Sequence, residues 1–134
     1  MQAILRTIFA ALGSLVLLSG LAAAETWKSG VFSKQEQKIS GGWSIAKEAD
    51  GTYLVLSSDF STRNAPDLKF FLHPLPAAQV TARNATQGAF VGDLKSPKGA
   101  SRIKLPASVD PAKFKSVVLH CEQYTKLWGA GDIP

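Results

Sequence analysis

The chain has 134 residues, of which 46% are hydrophobic, and a formal net charge of +5 at pH 7. Its single cysteine excludes an internal disulfide, and because its only methionine is Met1, methionine-ligated haem and copper are excluded after processing. The lysines and arginines are scattered and are not interleaved with aromatic residues, so no nucleic-acid partner is expected. The mild positive charge favours an acidic partner or an anionic membrane face.

Residues 1–24 have the three parts of a secretory signal peptide. Arg6 supplies the positive region, residues 8–18 are apolar, and three alanines precede a cleavage point before Glu25. The apolar run is shorter than the roughly 18–20 residues that span a bilayer, and no second run follows. We therefore expect a cleaved signal peptide, a single domain at 25–134 in the periplasm or secreted, and no membrane span after cleavage.

Glycines and prolines interrupt the mature sequence roughly every eight to twelve residues, which is typical of an all-β protein. The first clear strands are predicted at 43–46 and 52–57, and Asp50 and Gly51 are suited to the hairpin turn between them. The sequence therefore predicts a single antiparallel β-sandwich, immunoglobulin-like in general architecture.

The remaining elements follow from the same reasoning. Further strands are predicted at 68–72, 101–105 and 117–123, while residues 124–128 either extend the last of these or form a closing strand. Short helical turns are predicted at 77–80 and 110–114, the second with Asp110 as cap and Pro111 in its first position. Residues 25–40 are expected to form a loosely attached N-terminal strand, from which Val31 and Phe32 could still dock on the sheet.

The only cysteine lies in the stretch VVLHCEQY at 117–124. In a strand, alternate side chains share a face, so Cys121 lies with Val117 and Leu119 and is predicted to point into the core. His120 shares the other face with polar Glu122, which is expected to be the wetter one. Three states of Cys121 stay open at this point: a buried and inert thiol, a reactive unpaired thiol, or an intermolecular disulfide.

Several kinds of chemistry are excluded by the motifs that the sequence lacks. It has no nucleophile elbow, no HExxH and no glycine-rich phosphate loop, so an electron-transfer or binding module is favoured over a hydrolase or transferase. Covalent c-type haem would need two cysteines. A blue-copper site is not expected, because His120 and Cys121 project from opposite faces, and no metal is predicted. Non-covalent haem between His73 and His120 is geometrically possible if both face one pocket; the cofactor is otherwise unknown.

Six segments, taken in order, resemble the DM13 domain, which is named for electron transfer and is related in its proposed role to the DOMON group. They are GWSI at 42–45, LVL at 54–56, DFSTRNAPDL at 59–68, VGDLK at 91–95, LP at 105–106 and SVVLHC at 116–121. The resemblance extends over roughly residues 30–133, and its motif positions include Trp43, Asp59, Phe60, Pro66 and Asp67.

The resemblance implies an extracytoplasmic, DOMON-like β-sandwich with one characteristic cysteine and a proposed redox or electron-transfer role. It makes Cys121 the candidate redox thiol, acting with an unidentified redox partner or envelope protein. Asp67 is a second position of interest, either in the chemistry or as a cap for a turn. His120 stands where the family has tryptophan, and Ala65 where glycine is common. The alternative is a non-enzymatic envelope module that binds a ligand or protein and has a buried structural cysteine.

Overall fold

The computed structural model describes residues 24–134, so the predicted signal peptide lies outside the described residues apart from Ala24. The strands are β1 (Glu25–Val31), β2 (Lys34–Gln35), β3 (Ile39–Ser40), β4 (Gly42–Glu48), β5 (Gly51–Leu56), β6 (Ser61–Thr62), β7 (Leu68–His73), β8 (Ala89–Asp93), β9 (Ser101–Lys104), β10 (Ser116–Cys121) and β11 (Lys126–Asp132). Short 3-10 helices occupy Ala77–Gln79, Ala85–Gln87 and Pro111–Lys113.

Two antiparallel sheets pack face to face as a β-sandwich, which confirms the predicted fold class. One sheet has the strand order β1-β4-β5-β9, the other has the order β2-β11-β10-β7-β8, and β3 and β6 form a separate two-stranded pair. The hairpin between β4 and β5 turns at Ala49 and Asp50, and Gly51, which pairs with Glu48 at the start of β5, has a φ of 148°. Only glycine adopts this conformation readily, so the residues of the turn fix the hairpin as predicted.

The main core lies between the two sheets and is almost wholly apolar. Its largest fully buried side chains come from both sheets and from the segments that join them, and include Phe32, Phe60, Phe70, Ile45, Leu54, Leu56, Leu72 and Leu119. Removal of this apolar surface from water, at about 25 cal/mol per Å2, is the main force that holds the sheets together.

A second, smaller cluster covers the outer face of the five-stranded sheet. It consists of Phe71, Ala77, Val80, Ala85, Val118, Leu127 and Ala130. The chain between β7 and β8, which includes two of the 3-10 helices, supplies three of its members. All six residues of β10 are buried as a result, because this strand is central in its sheet and covered on both sides.

The cover over the outer face overturns one prediction from the sequence. The face shared by Val118 and His120 was expected to be the wetter one, yet Val118 is 0% exposed and His120 is 1% exposed. The chain between β7 and β8 folds over this face, and sequence alternation alone does not reveal such a cover. Strand β10 also ends at Cys121, two residues earlier than predicted, because residues 122–125 form the turn to β11. The closing strand is therefore β11, starting at Lys126.

The N-terminal strand is held more firmly than the sequence indicated. Strand β1 pairs with β4 from Glu25 to Val31, so the expectation of loose attachment was wrong. Phe32 enters the main core with 1% exposure, whereas Val31 remains 61% exposed. A Cβ atom at Gly131 of β11 would collide with the carbonyl oxygen of Val31, so the close approach of these strands requires glycine there.

The predicted helical turns and the half-buried strand are confirmed. A 3-10 helix forms at Ala77–Gln79, and another at Pro111–Lys113, where the Asp110 carboxylate accepts a hydrogen bond from the Ala112 N–H at 3.0 Å. Strand β9 alternates between partly buried and exposed residues, as the sequence pattern predicted. No helix in the described part of the chain is long and apolar enough to cross a membrane.

Candidate functional site around Cys121

Cys121 is the last residue of β10, and its side chain points into the main core. It is free and 0% exposed, which confirms the predicted inward orientation. The strand register places it opposite Leu68 of β7 and Lys126 of β11. The thiol is thus enclosed by the sandwich, yet its residue adjoins the turn at one end of the sheet.

The turn that follows the thiol is exposed and conformationally strained. All four of its residues, 122–125, are exposed, and Tyr124 is 63% exposed. The N–H of Thr125 donates to the carbonyl oxygen of Glu122 at 3.1 Å. Thr125 has a φ of 50°, a left-handed conformation that a β-branched residue rarely adopts and that costs about 1–3 kcal/mol. The turn therefore contains strain at a position close to the thiol.

A small group of charged residues ties this turn to the start of β7. The N–H of Glu122 donates to the backbone carbonyl of Asp67 at 3.1 Å. The Lys69 Nζ lies 3.0 Å from Glu122 Oε1 and 3.4 Å from Asp67 Oδ1. The hydrogen bond to Glu122, together with the two negative charges, raises the pKa of Lys69. Asp67 thus helps to hold the end of the sheet that contains Cys121.

His120 lies on the opposite face of β10 from the thiol. It is 1% exposed, and its Nδ1 is buried without a hydrogen-bond partner among the described residues. Its neighbours across the sheet are Lys69 and Leu127. Burial lowers the pKa of His120, and the negative charges of Glu122 and Asp67 oppose this effect. The ring therefore favours the neutral state more strongly than a histidine in water.

His73 lies on the same face as His120, but at the other end of the strands. It pairs with Ser116, whereas His120 pairs with Lys69, so the backbone positions of the two histidines are about 13 Å apart along the strand direction. The Nε2 of His73 lies 2.7 Å from the carbonyl oxygen of Asn84, and its Nδ1 accepts from the Leu75 N–H at 3.1 Å. To bind the iron of a haem, His73 would have to give up one of these bonds.

The remaining motif positions have structural contacts in this fold. Trp43 and Phe60 are buried in the main core, and the Trp43 Nε1 donates to the carbonyl of Val31 at 3.3 Å. The Asp59 carboxylate accepts from the Ser57 hydroxyl at 2.6 Å, and Pro66 begins the turn before β7. In residues 24–134, no three histidine, cysteine, aspartate or glutamate side chains come together as a metal site.

Trp128 is a residue near the thiol that the sequence analysis did not single out. Leu119 pairs with Gly129 and His120 pairs with Leu127, so Trp128 is the extra residue of a bulge in β11. Its side chain joins the same core cluster as Cys121, and its Nε1 donates to the hydroxyl of Thr62 at 2.9 Å. Because the bulge depends on the pairing of β10 and β11, alternation of side chains along one strand does not indicate this arrangement.

Comparison with known proteins identifies the family of the chain. The model of the family described as Electron transfer DM13 matches residues 31–133, which include every strand from β2 to β11. Neither a curated protein nor a solved structure matches the chain. The match includes the core strands, the charged residues at the end of the sheet and the free cysteine. The chain belongs to the Electron transfer DM13 family.

Proposed function

We propose that this chain is an exported electron-transfer module whose redox-active group is the thiol of Cys121. The family match carries the redox part of this proposal. The signal-peptide pattern of residues 1–24 supports export to the periplasm or the exterior. Cys121 is the only side chain of the sequence that undergoes reversible thiol–disulfide chemistry, and it has no partner cysteine in its own chain. The electron donor and acceptor are therefore other molecules.

The proposed chemistry is exchange with a disulfide of a partner protein. The Cys121 thiolate attacks one sulfur of that disulfide, so an intermolecular S–S bond forms and the second partner sulfur leaves as a thiolate. A thiol from outside the chain then attacks the Cys121 sulfur, which releases the partner as a dithiol and leaves a mixed disulfide on Cys121. A further external thiol resolves it. Two external thiols are oxidised to a disulfide, and the partner disulfide is reduced by two electrons.

Access to Cys121 requires local opening, because its side chain is 0% exposed. The features around it favour opening at the turn. Residues 122–125 are exposed, Thr125 has a strained φ of 50°, and the contacts of Glu122 with Lys69 and Asp67 lie at the surface. Openings of this kind at the ends of elements cost less free energy than global unfolding.

The complete burial of Cys121 supports a second candidate function. In this alternative the thiol is a small apolar member of the core, and the domain is a non-enzymatic envelope module that binds a ligand or protein. The two candidates differ in one property: the free energy needed to expose the sulfur. Only the redox module requires an opening that leaves the rest of the sandwich folded.

The test is mixed-disulfide formation by the native protein. The folded chain is incubated with hydroxyethyl disulfide, quenched with acid and analysed by intact mass spectrometry, with Cys121→Ser as the blank. The matched control moves the thiol to the middle of the same face, by Val117→Cys in the less destabilising Cys121→Ala background, since Val117 is also 0% exposed in the main core. We expect the native thiol to react at least about tenfold faster than the control, since local opening costs less than global unfolding.

A variant that relieves the strain at the turn provides a second comparison in the same experiment. Thr125→Gly removes the cost of the left-handed conformation, so the closed turn becomes more stable and the reaction of Cys121 slows. The reaction of the control thiol at position 117 should change only with global stability. Equal rates for the two thiols in native conditions would refute the redox proposal and favour the structural cysteine.

A further inference from the structure

Two cations face each other on the short strands β3 and β6. Ile39 pairs with Thr62 and Ser40 with Ser61, so the next position of the register brings Lys38 opposite Arg63. Like charges in this arrangement destabilise a strand pair. Among the described residues, neither side chain forms an ion pair with a carboxylate, and the Arg63 Nη1 donates to the Gln37 Oε1 at 3.5 Å. Their positive charge is therefore not neutralised within residues 24–134.

These two cations border a groove with a hydroxyl-rich lining. The groove has a volume of about 250 Å3 and is lined by Lys38, Ser40, Ser61, Thr62 and Arg63. The lining contains no carboxylate and no aromatic side chain. Guanidinium, ammonium and hydroxyl groups are the donors that bind carboxylates in proteins, and a guanidinium does so with two parallel hydrogen bonds. The chemistry of the groove is thus complementary to acidic side chains.

The floor of the groove is connected to the core that encloses Cys121. Thr62 is 9% exposed, and its hydroxyl donates to the carbonyl of Lys38 at 2.8 Å while it accepts from the Trp128 Nε1 at 2.9 Å. Cys121 pairs with Lys126 of β11, and Trp128 follows Lys126 by two residues. The side chains of Trp128 and Cys121 both belong to the main core. One buried indole therefore joins the floor of the groove to the core cluster that contains the thiol.

We propose that this basic groove is the docking site for an acidic segment of a partner protein. Two or more carboxylates of the segment would bind Lys38 and Arg63, relieve their mutual repulsion and accept hydrogen bonds from the serine hydroxyls. The partner is a protein, because the lining offers no apolar side chain to insert among lipids and the groove is concave. That this partner exchanges electrons with the chain rests on the proposed function, whereas the docking itself does not involve the thiol.

The test measures binding of a fluorescent peptide of alternating Glu and Gly by anisotropy, with a Gln and Gly peptide as its uncharged counterpart. The groove variant is Lys38→Gln with Arg63→Gln. The control is Lys113→Gln with Lys115→Gln, which removes the same charge from two exposed lysines outside the groove. Loss of two charge-assisted contacts should weaken binding of the acidic peptide by about tenfold or more in the groove variant. The control should lose less than about threefold, by the general effect of charge.

Folding of the groove variant is checked by its urea midpoint, which should equal or exceed that of the wild type because the repulsion is gone. Equal losses of affinity in the two variants would overturn the proposal, as would equal binding of the Gln peptide. Inorganic phosphate that binds as tightly as the peptide, or binding through Lys38 and Arg63 to phosphatidylglycerol vesicles alone, would also overturn it. The binding measurement is repeated in Cys121→Ser, where docking should be unchanged. If docking is unchanged there but the wild type shows no thiol exchange, the redox function is refuted while the docking proposal still holds.

Discussion

The two faces of β10 are equally buried but differ in how they accommodate polar groups. On the inner face, Val117, Leu119 and Cys121 pack against apolar side chains of the main core. On the outer face, Ser116 and Val118 lie under the chain between β7 and β8, and His120 is buried toward the other end of the strand. The Ser116 hydroxyl donates to the carbonyl of Leu75 at 2.8 Å, while the Nδ1 of His120 has no partner in the described part of the chain.

This difference shows that full burial has two distinct consequences in one strand. Inner-face residues depend on packing alone, so their substitution is governed by lost contacts and cavities. Outer-face polar residues depend on partners supplied by a segment that folds over the sheet, so their substitution is governed by unsatisfied hydrogen bonds. Cys121 lies at the junction, on the packed face but one residue from an exposed turn.

The largest expected effect compares two neighbouring phenylalanines on opposite faces of β7. Phe70 is 0% exposed in the main core, and Phe70→Ala should lower the free energy of unfolding by about 3–5 kcal/mol. Phe71→Ala should cost less, about 2–3 kcal/mol, because Phe71 packs in the smaller cluster beside half-exposed Phe90 and the cover can relax into the space. Urea denaturation measures both. Equal losses would mean that the two faces are packed alike.

The next effect concerns the hydrogen bonds of the outer face. His73→Ala should cost about 2–3 kcal/mol, because it leaves the carbonyl of Asn84 and the N–H of Leu75 without their partner. His73→Gln, which retains hydrogen-bonding atoms, should recover part of this loss. Urea denaturation again gives the values. A loss of less than about 0.5 kcal/mol in His73→Ala would show that water replaces the imidazole and that the cover does not depend on it.

A smaller effect tests the apolar nature of the inner face at the thiol. Cys121→Ser should cost about 1–3 kcal/mol, because it buries a hydroxyl that finds no partner in apolar surroundings. Cys121→Ala should cost less, since it leaves only a small cavity. Thermal or urea denaturation of the two variants orders them. A serine variant as stable as the alanine variant would indicate a polar partner near position 121.

The smallest effect is a dependence of stability on pH. Burial lowers the pKa of His120 below its ordinary value of 6.5, so the unfolded chain binds more protons at this side chain as the pH falls past that value. The stability conferred by the neutral ring is complete above pH 6.5 and declines as the pH drops toward the lowered pKa. His120→Gln should flatten this acid limb of the stability curve. An unchanged slope between pH 7 and 5 in the variant would assign the acid limb to other groups.

The sequence predicted what depends on local chemistry and alternation, and missed what depends on contacts between distant segments. Asp50 and Gly51 predicted the hairpin, and alternation placed Cys121 inward. The alternation of residues could not show that residues 74–88 cover the outer face of the sheet, so the face that carries Val118 and His120 was predicted to be the wetter one. It also could not bring residues 38–40 and 61–63 together, although both flank the predicted hairpin, because their pairing forms only when the chain has folded.

The central claim, that Cys121 is reached by a local opening of the turn, is tested most directly by the urea dependence of its labelling. The rate of reaction with a thiol reagent is measured in the wild type at urea concentrations below the unfolding transition. A local opening exposes little surface, so the account predicts a rate nearly independent of urea, while the thiol moved to position 117 follows the slope of global unfolding. If Cys121 follows that same slope, its sulfur is exposed only when the whole sandwich unfolds, and the claim is contradicted.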